Sequence, residues 1–334
     1  MRIRQLSVDA GGQEGTALLS PQLLSMRWMH EHFRRTDNGD GGRLGTWRRA
    51  VAFWWRCWWN AHALQVSAAA FRAGVLSPIT RSRPDVALRP LRSYLRHGLD
   101  PERRGYAVHA HFAWLSRNMP QALIDRLYAG EGVTLLGDDA PVPGLGVSLA
   151  AADRLGREGE LALHLHWHGT IVMSMPFSVL DASVVIGRRD PQHLLGPRIV
   201  IGALRGRRGA GPALRALSHA SQRLRPSALL VLAAQALTAT WNLAPPLAVM
   251  GASHVSRNRA LTRGEYAMNY DTTWMELGGY PTGRHYWALP DAPDLRPEDE
   301  VESRRRSQHR RRNALRVALI AAIRAQMATL LAPH

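Results

Sequence analysis

Apolar and polar residues alternate strictly over residues 160–168, ELALHLHWH. Leu161, Leu163, Leu165 and Trp167 fall on one side, and Ala162, His164, His166 and His168 on the other. A period of two predicts a strand with unequal faces. His168–Gly169 turns the chain, and TIVMSMPFSVLD runs back with a Pro176 that calls for a bulge or an edge position. SVVIG (183–187) and PRIVIGALRG (197–206) continue the pattern, so residues 145–205 predict an antiparallel meander. Three histidines alternating on one strand face could ligate a metal. Such a row is more often a solvated or helix-covered face, and no metal site is expected.

The period then changes to that of helices. Ala213–Leu224 and Ser227–Asn242 read as two helices separated by Arg225–Pro226, the second apolar on most faces and therefore buried. Leu247–Met250 and His285–Leu289 read as strands flanking a helix over the Tyr270–Glu276 region. Pro101 after Asp100 starts a helix that carries His109, His111 and Trp114; the two histidines are two apart and do not share a face. Residues 296–333 read as one long helix opened by Pro297 and acidic residues. It carries a basic block, Arg304, Arg305, Arg306, Arg310, Arg311 and Arg312, suited to an anionic surface.

The N-terminal part reads differently. Residues 1 to about 45 form a loose leader with a short helical piece near Pro21–Phe33. Residues 46–74 predict a helix from Thr46 to Gly74, on which Trp54, Trp55, Trp58 and Trp59 form one aromatic stripe flanked by Arg48, Arg49 and Arg56. Apolar stripes at helical spacing usually dock into a core. The competing reading is a membrane-interface helix, with Trp at headgroup level and Arg against anionic lipid. The expected division is 1–74, a leader with a Trp-rich amphipathic helix, and 75–334, an α+β domain that includes the basic C-terminal helix.

Charge narrows the choice of partner. The 334 residues carry a formal net charge of +17, and every basic side chain counted in it is arginine. Planar guanidinium groups favour phosphate and carboxylate, so an anionic ligand or an anionic membrane surface is expected. No recognisable nucleic-acid motif accompanies the charge. One cysteine, Cys57, excludes an internal disulfide and a cysteine-based zinc site. Neither a signal-peptide core nor a run of about 18 apolar residues is visible. The expected location is the cytoplasm, with peripheral attachment at the inner membrane.

Candidate chemistry concentrates between Pro245 and Pro290, where strand, polar turn, helix and strand succeed one another as at a site on a sheet margin. His254 is the best base by chemistry and Tyr270 an acid. Asp271 and Glu276 could hold a cationic acceptor or orient Arg257, with Ser256 and Trp274 beside them. Upstream, Arg205, Gly206, Gly209 and Gly211 form a glycine-bearing loop that opens a helix, with Arg225 one helix further on. Such a loop can present backbone N–H groups to a pyrophosphate. Acetyl-coenzyme-A-dependent transferases of the GNAT class place a similar loop after a meander strand, with Gln or Arg leading a G-x-G/A pair; here Gly206 stands at the leading position. The expected fold is therefore α+β, a GNAT-like mixed, mostly antiparallel sheet flanked by helices. The implied cofactor is an acyl-CoA or acyl-carrier thioester, and the implied chemistry N- or O-acyl transfer. The competing expectation is a non-catalytic protein that binds anionic lipid through its Trp and Arg clusters.

From about Arg89 onward the chain resembles the VirK/YbjX family of Gram-negative bacteria, a domain of unknown function. The resemblance lies in RPLRSYLRHGL, REGELALHL (157–165), Phe177–Ser178, IGALRG (201–206), LRPSALL (224–230), SHVSRN (253–258), NYDTTWMELGG (269–279), YWALP (286–290) and RRRSQHRRR. The chain departs from the family at Arg205–Gly206, where Gln-Gly is expected, and at Ser256, where Tyr is expected. The family is associated with virulence and with resistance to membrane-active peptides, which implies a role at the cell envelope.

Overall fold

The meander forms as the alternation requires, and it seeds a nine-stranded sheet. The computed structural model describes residues 43–71, 76, 79–80, 83–153, 155–186, 196–256 and 269–332. The leader before Arg43, with its expected helix near Pro21–Phe33, and Arg257 lie outside the described residues. The chain divides into two units, Met1–Trp55 and Arg56–His334. Helix α1, Arg43–Trp59, runs across the division.

In the larger unit the strands are β1 (Val133–Leu136), β2 (Leu145–Ala151), β3 (Leu161–Trp167), β4 (Thr170–Asp181), β5 (Pro197–Ile201), β6 (Arg205–Gly206), β7 (Ala244–Val249), β8 (Tyr280–Thr282) and β9 (Tyr286–Ala288). Their order is β1-β2-β3-β4-β5-β7-β9-β8, with β6 beside β4. Every pairing is antiparallel except β5 with β7. The architecture is α+β with a mostly antiparallel sheet.

Local chemistry fixes the turns. His168 and Gly169 both hold positive φ, 48° and 75°, the left-handed pair that a two-residue hairpin needs between β3 and β4. His164 and His166 bond serines on the neighbouring strands: His164 Nδ1 lies 2.7 Å from the Ser174 hydroxyl and His166 Nε2 2.8 Å from that of Ser148. Leu161, Leu163 and Leu165 are fully buried on the other side.

Helices complete the core. The long helix expected over 46–74 breaks at Asn60, so α1 is followed by α2, Ala61–Ala69. Next come α3 (Pro101–Asn118), capped by the Asp100 carboxylate accepting from Arg103 N, and α4 (Gln121–Tyr128). SVVIG does not form a strand: residues 182–186 make the short helix α5, because Asp181 Oδ1 accepts from Ser183 N at 2.8 Å and turns the chain. Then come α6 (Gly211–Ala220), α7 (Pro226–Thr240), α8 (Tyr270–Glu276) and α9 (Arg306–Leu331). The C-terminal helix starts later than expected, after two 3-10 turns at Glu298–Glu300 and Ser303–Arg305. Helix α3 lies on α2 and β4, and α7 on β3, β4, β5 and β7, while α9 covers α7 and β1. Among the described residues the helical stretch Ser303–Leu331 is long and apolar enough to cross a membrane. Its Leu315, Leu319, Ile323 and Met327 form one face and are buried in the core.

Candidate functional site

One extra residue shapes the margin where the predicted site residues meet. Between the pairs Phe177↔Ile201 and Ser174↔Arg205 the chain takes three steps on β4 and four on the opposing strand. Gly202–Leu204 is therefore a β-bulge, and β6 continues β5 after it. Pro176 sits opposite the bulge, and its carbonyl accepts from Gly202 N at 3.0 Å. β5 stays paired with β7 as far as Ile201↔Ala248, and the two strands part beyond that point.

The loop carrying Glu158 crosses the bulge at backbone distance. A Cβ on Gly202 would sit 2.7 Å from the Glu158 carbonyl carbon and closer still to its oxygen. A Cβ on Gly159 would sit 2.6 Å from the Phe177 carbonyl carbon. Only glycine at both positions lets the loop lie there. Leu95 N donates to the Arg157 carbonyl, and Arg96 bridges His254 across to the segment after β7. The turn that brings them together holds Leu95 at φ 57°.

Five segments of the VirK/YbjX resemblance thus converge, and they assemble a polar cluster. Glu158, 3 % exposed, accepts from Arg205 through both Nε, at 3.0 Å, and Nη2. Arg205 Nη2 also donates to the Ser256 hydroxyl at 3.1 Å, and that hydroxyl lies 3.5 Å from Glu158 Oε1. His254 Nε2 is 3.6 Å from the same oxygen. His254 Nδ1 accepts from Ser256 N at 3.2 Å, so the neutral ring carries its proton on Nε2, facing Glu158. Burial holds His254 below the usual histidine range; Glu158 pulls it up and Arg205 pushes it down. The expected base is therefore neutral near pH 7 and presents a protonated nitrogen to a carboxylate.

The gap where β5 and β7 part is occupied by side chains of this chain. Tyr270 donates its hydroxyl to the Leu204 carbonyl at 3.2 Å, and Trp274 Nε1 donates to the Val249 carbonyl at 3.1 Å. His254, Tyr270 and Trp274 stack, with ring centroids 5.0 and 6.3 Å apart and planes 18° and 19° from parallel. Burial pushes the Tyr270 phenol up to about 12, with Arg205 working against it. Asp271 Oδ1 accepts from Gly251 N at 3.1 Å and from Trp287 Nε1 at 2.8 Å. Asp271 and Trp274 are thus spent on locking α8 to the sheet.

Sequence reasoning placed Arg205, His254, Ser256 and Tyr270 together and missed Glu158, although REGEL was in view. It also grouped Glu276 and Arg225 with them. The structure pairs those two with each other at a different hollow of about 230 Å³, which adjoins one of about 350 Å³ that Glu276 also lines. Their walls come from α7, α8 and α9 and include Arg312 and Arg316. Of the glycine loop, Gly206 is paired with Met173 in the sheet, Gly209 makes the turn at φ 79°, and Gly211 opens α6. The basic block is partly used by its own chain. Arg304 and Arg305 share the Glu302 carboxylate, while Arg306 and Arg312 donate to the Val301 and Gln222 carbonyls. Arg310 and Arg311 are exposed. No group of three or more His, Cys, Asp or Glu residues with metal-binding geometry occurs among the described residues.

Fold and cluster define an α+β domain with one parallel strand pair and a closed, charged junction at the end of that pair. Residues 43–328 match the family described as a protein of unknown function (DUF535), and the chain belongs to that family. The match begins at Arg43, so α1 lies within it. No curated protein and no solved structure matches the chain.

Proposed function

We propose that this chain is a peripheral membrane protein that meets an anionic bilayer through α1. The observation that carries the reading is the exposed stripe Trp47, Val51, Trp55, Trp58 and Trp59, whose spacing follows one side of a helix. Trp55, Trp58 and Trp59 are 61 %, 68 % and 73 % exposed, whereas large aromatic side chains are ordinarily among the more buried. Arg48 and Arg49 accompany the stripe on α1, the pairing of Trp and Arg that suits a headgroup layer. The net charge of +17 and the envelope association implied by the VirK/YbjX resemblance support the same partner, at the cytoplasmic face of the inner membrane.

Flotation of the full chain with phosphatidylglycerol-containing vesicles tests this. Binding is expected at low salt and should weaken as salt rises. Each Trp should contribute roughly 2 kcal/mol on insertion. W58A/W59A should therefore lower partitioning by about a thousandfold, with thermal stability unchanged. A folded double variant that floats as well as the parent overturns the reading.

A second reading, acyl transfer, is favoured by strand order. Meander, bulged strand, helix, parallel strand, helix and hairpin follow the order expected for a GNAT-like scaffold. In that reading Arg205, Ser256 and Tyr270 would surround a thioester, and Glu158 would be the nearest carboxylate. Tyr270 and Trp274 fill the gap such a ligand would enter, so no heat is expected on titration with acetyl-coenzyme A at millimolar concentration. Saturable binding lost in Y270F would restore the enzyme reading.

A further inference from the structure

We infer that Arg56, Arg92, Arg104 and Arg157 form a binding site for a phosphate monoester, separate from both the Glu158 cluster and the Trp stripe. These residues, with Leu91 and Ser93, line a hollow of about 460 Å³ in the larger unit. Four of its six lining residues are arginine and none is acidic. Two of the guanidinium groups are already aimed by the backbone. Arg104 donates from Nε to the Leu99 carbonyl at 2.7 Å, and from Nη1 to the carbonyls of Pro90 at 3.0 Å and Arg92 at 2.8 Å. Arg56 donates to the Leu91 carbonyl.

Carbonyl acceptors fix a guanidinium without cancelling its charge, so the hollow keeps a concentrated positive field with its donors held in place. The carboxylate that acts on Arg104 is Asp100, which is committed to capping α3 and to Arg103. Burial lowers the Arg104 guanidinium from its usual value, and Arg56 adds to that effect. A doubly charged phosphoryl group would relieve this repulsion, and its oxygens match the fork of an arginine bidentately. Arg92 comes from RPLRSYL and Arg157 from REGEL, so two segments of the family resemblance meet here as well.

The chemistry is shared by a soluble phosphomonoester and by a lipid headgroup that ends in one. Calorimetric titration of the full chain with inorganic phosphate, at ionic strength held constant with chloride, should give saturable one-to-one binding. R92Q and R157Q should each weaken it at least fivefold, while R310Q/R311Q leaves it unchanged. Arg104 is avoided because its three carbonyl bonds make the fold depend on it. Phosphatidate vesicles that displace phosphate identify the headgroup as the source; failure to displace it identifies a soluble ligand, and both outcomes require the site. Non-saturating heats, or equal affinity in R92Q/R157Q, overturn the proposal. W58A/W59A should retain phosphate binding, so failure of the membrane reading is distinguishable from failure of this one.

Discussion

Gly202→Ala is expected to lower the melting temperature by on the order of 10 °C, or to prevent folding. The new Cβ would overlap the Glu158 carbonyl, which is backbone and cannot rotate aside. Relief requires lifting the Glu158 loop, and that loop holds the Arg205 ion pair and the Leu95–Arg157 bond. Removing such a set costs about 4 kcal/mol, the upper range for single substitutions. Gly206→Ala is the control, because a Cβ there meets only the Leu214 Cδ1 at 4.0 Å. It should cost less than about 1 kcal/mol. Thermal unfolding followed by circular dichroism distinguishes the two. Equal shifts would mean that the loop does not depend on the close approach at Gly202.

The contrast between these glycines shows what the sequence could and could not tell. PRIVIGALRG reads as a strand that runs into the loop of Gly206, Gly209 and Gly211, so spacing singles out Gly206 and gives Gly202 no weight. Their difference comes from a segment more than forty residues upstream, which no local pattern reports. Glu158 was missed for the same reason: it reaches His254 and Arg205 from a loop, by a backbone crossing.

The sheet was legible because alternation is local, and Pro176 correctly signalled a bulge, though the extra residue lies on the facing strand. Two errors had local causes that were readable. Asn60 sends its side chain to the Arg56 carbonyl at 2.8 Å, competing with the helical backbone where the chain was expected to run on to Gly74. Glu276 stands six residues after Tyr270, about 240° around a helix, so the two could not share a face. A further difference concerns α1, whose stripe suggests a buried seam by its spacing; its exposure depends on what packs nearby, and periodicity does not encode that.

Arg89→Met should destabilise the chain by up to about 1.4 kcal/mol more at pH 8 than at pH 5, and Glu160→Gln should remove most of the difference. Arg89 is 6 % exposed and Glu160 2 %, with Arg89 Nε 3.3 Å from Glu160 Oε1 and Nη1 3.0 Å from Asp85 Oδ2. Around them Tyr94 Oη lies 2.9 Å from the Ser178 hydroxyl, and that hydroxyl accepts from Glu160 N. Burial raises the Glu160 carboxyl to about 7, against the pull of Arg89 and Tyr94. A raised acid contributes stability that is complete below its ordinary value of 4.5 and is lost as pH rises through about 7. In the parent chain that loss is on the order of 3 kcal/mol by pH 8. Without Arg89 the carboxyl has no buried cation to meet and stays protonated to higher pH, so the loss continues at about 1.4 kcal/mol per pH unit above 7, an extra of up to about 1.4 kcal/mol at pH 8. At pH 5 the group is largely neutral in both chains, and the R89M cost should fall to that of lost packing. His111 works in the opposite direction. Burial pulls it down to about 3, so its contribution is lost as pH falls below the usual histidine value, and both chains share that loss equally. Urea unfolding of the parent, R89M, E160Q and R89M/E160Q at pH 5 and pH 8 isolates the pair. Equal R89M penalties at the two pH values would mean that Glu160 is not the group that titrates beneath the sheet margin.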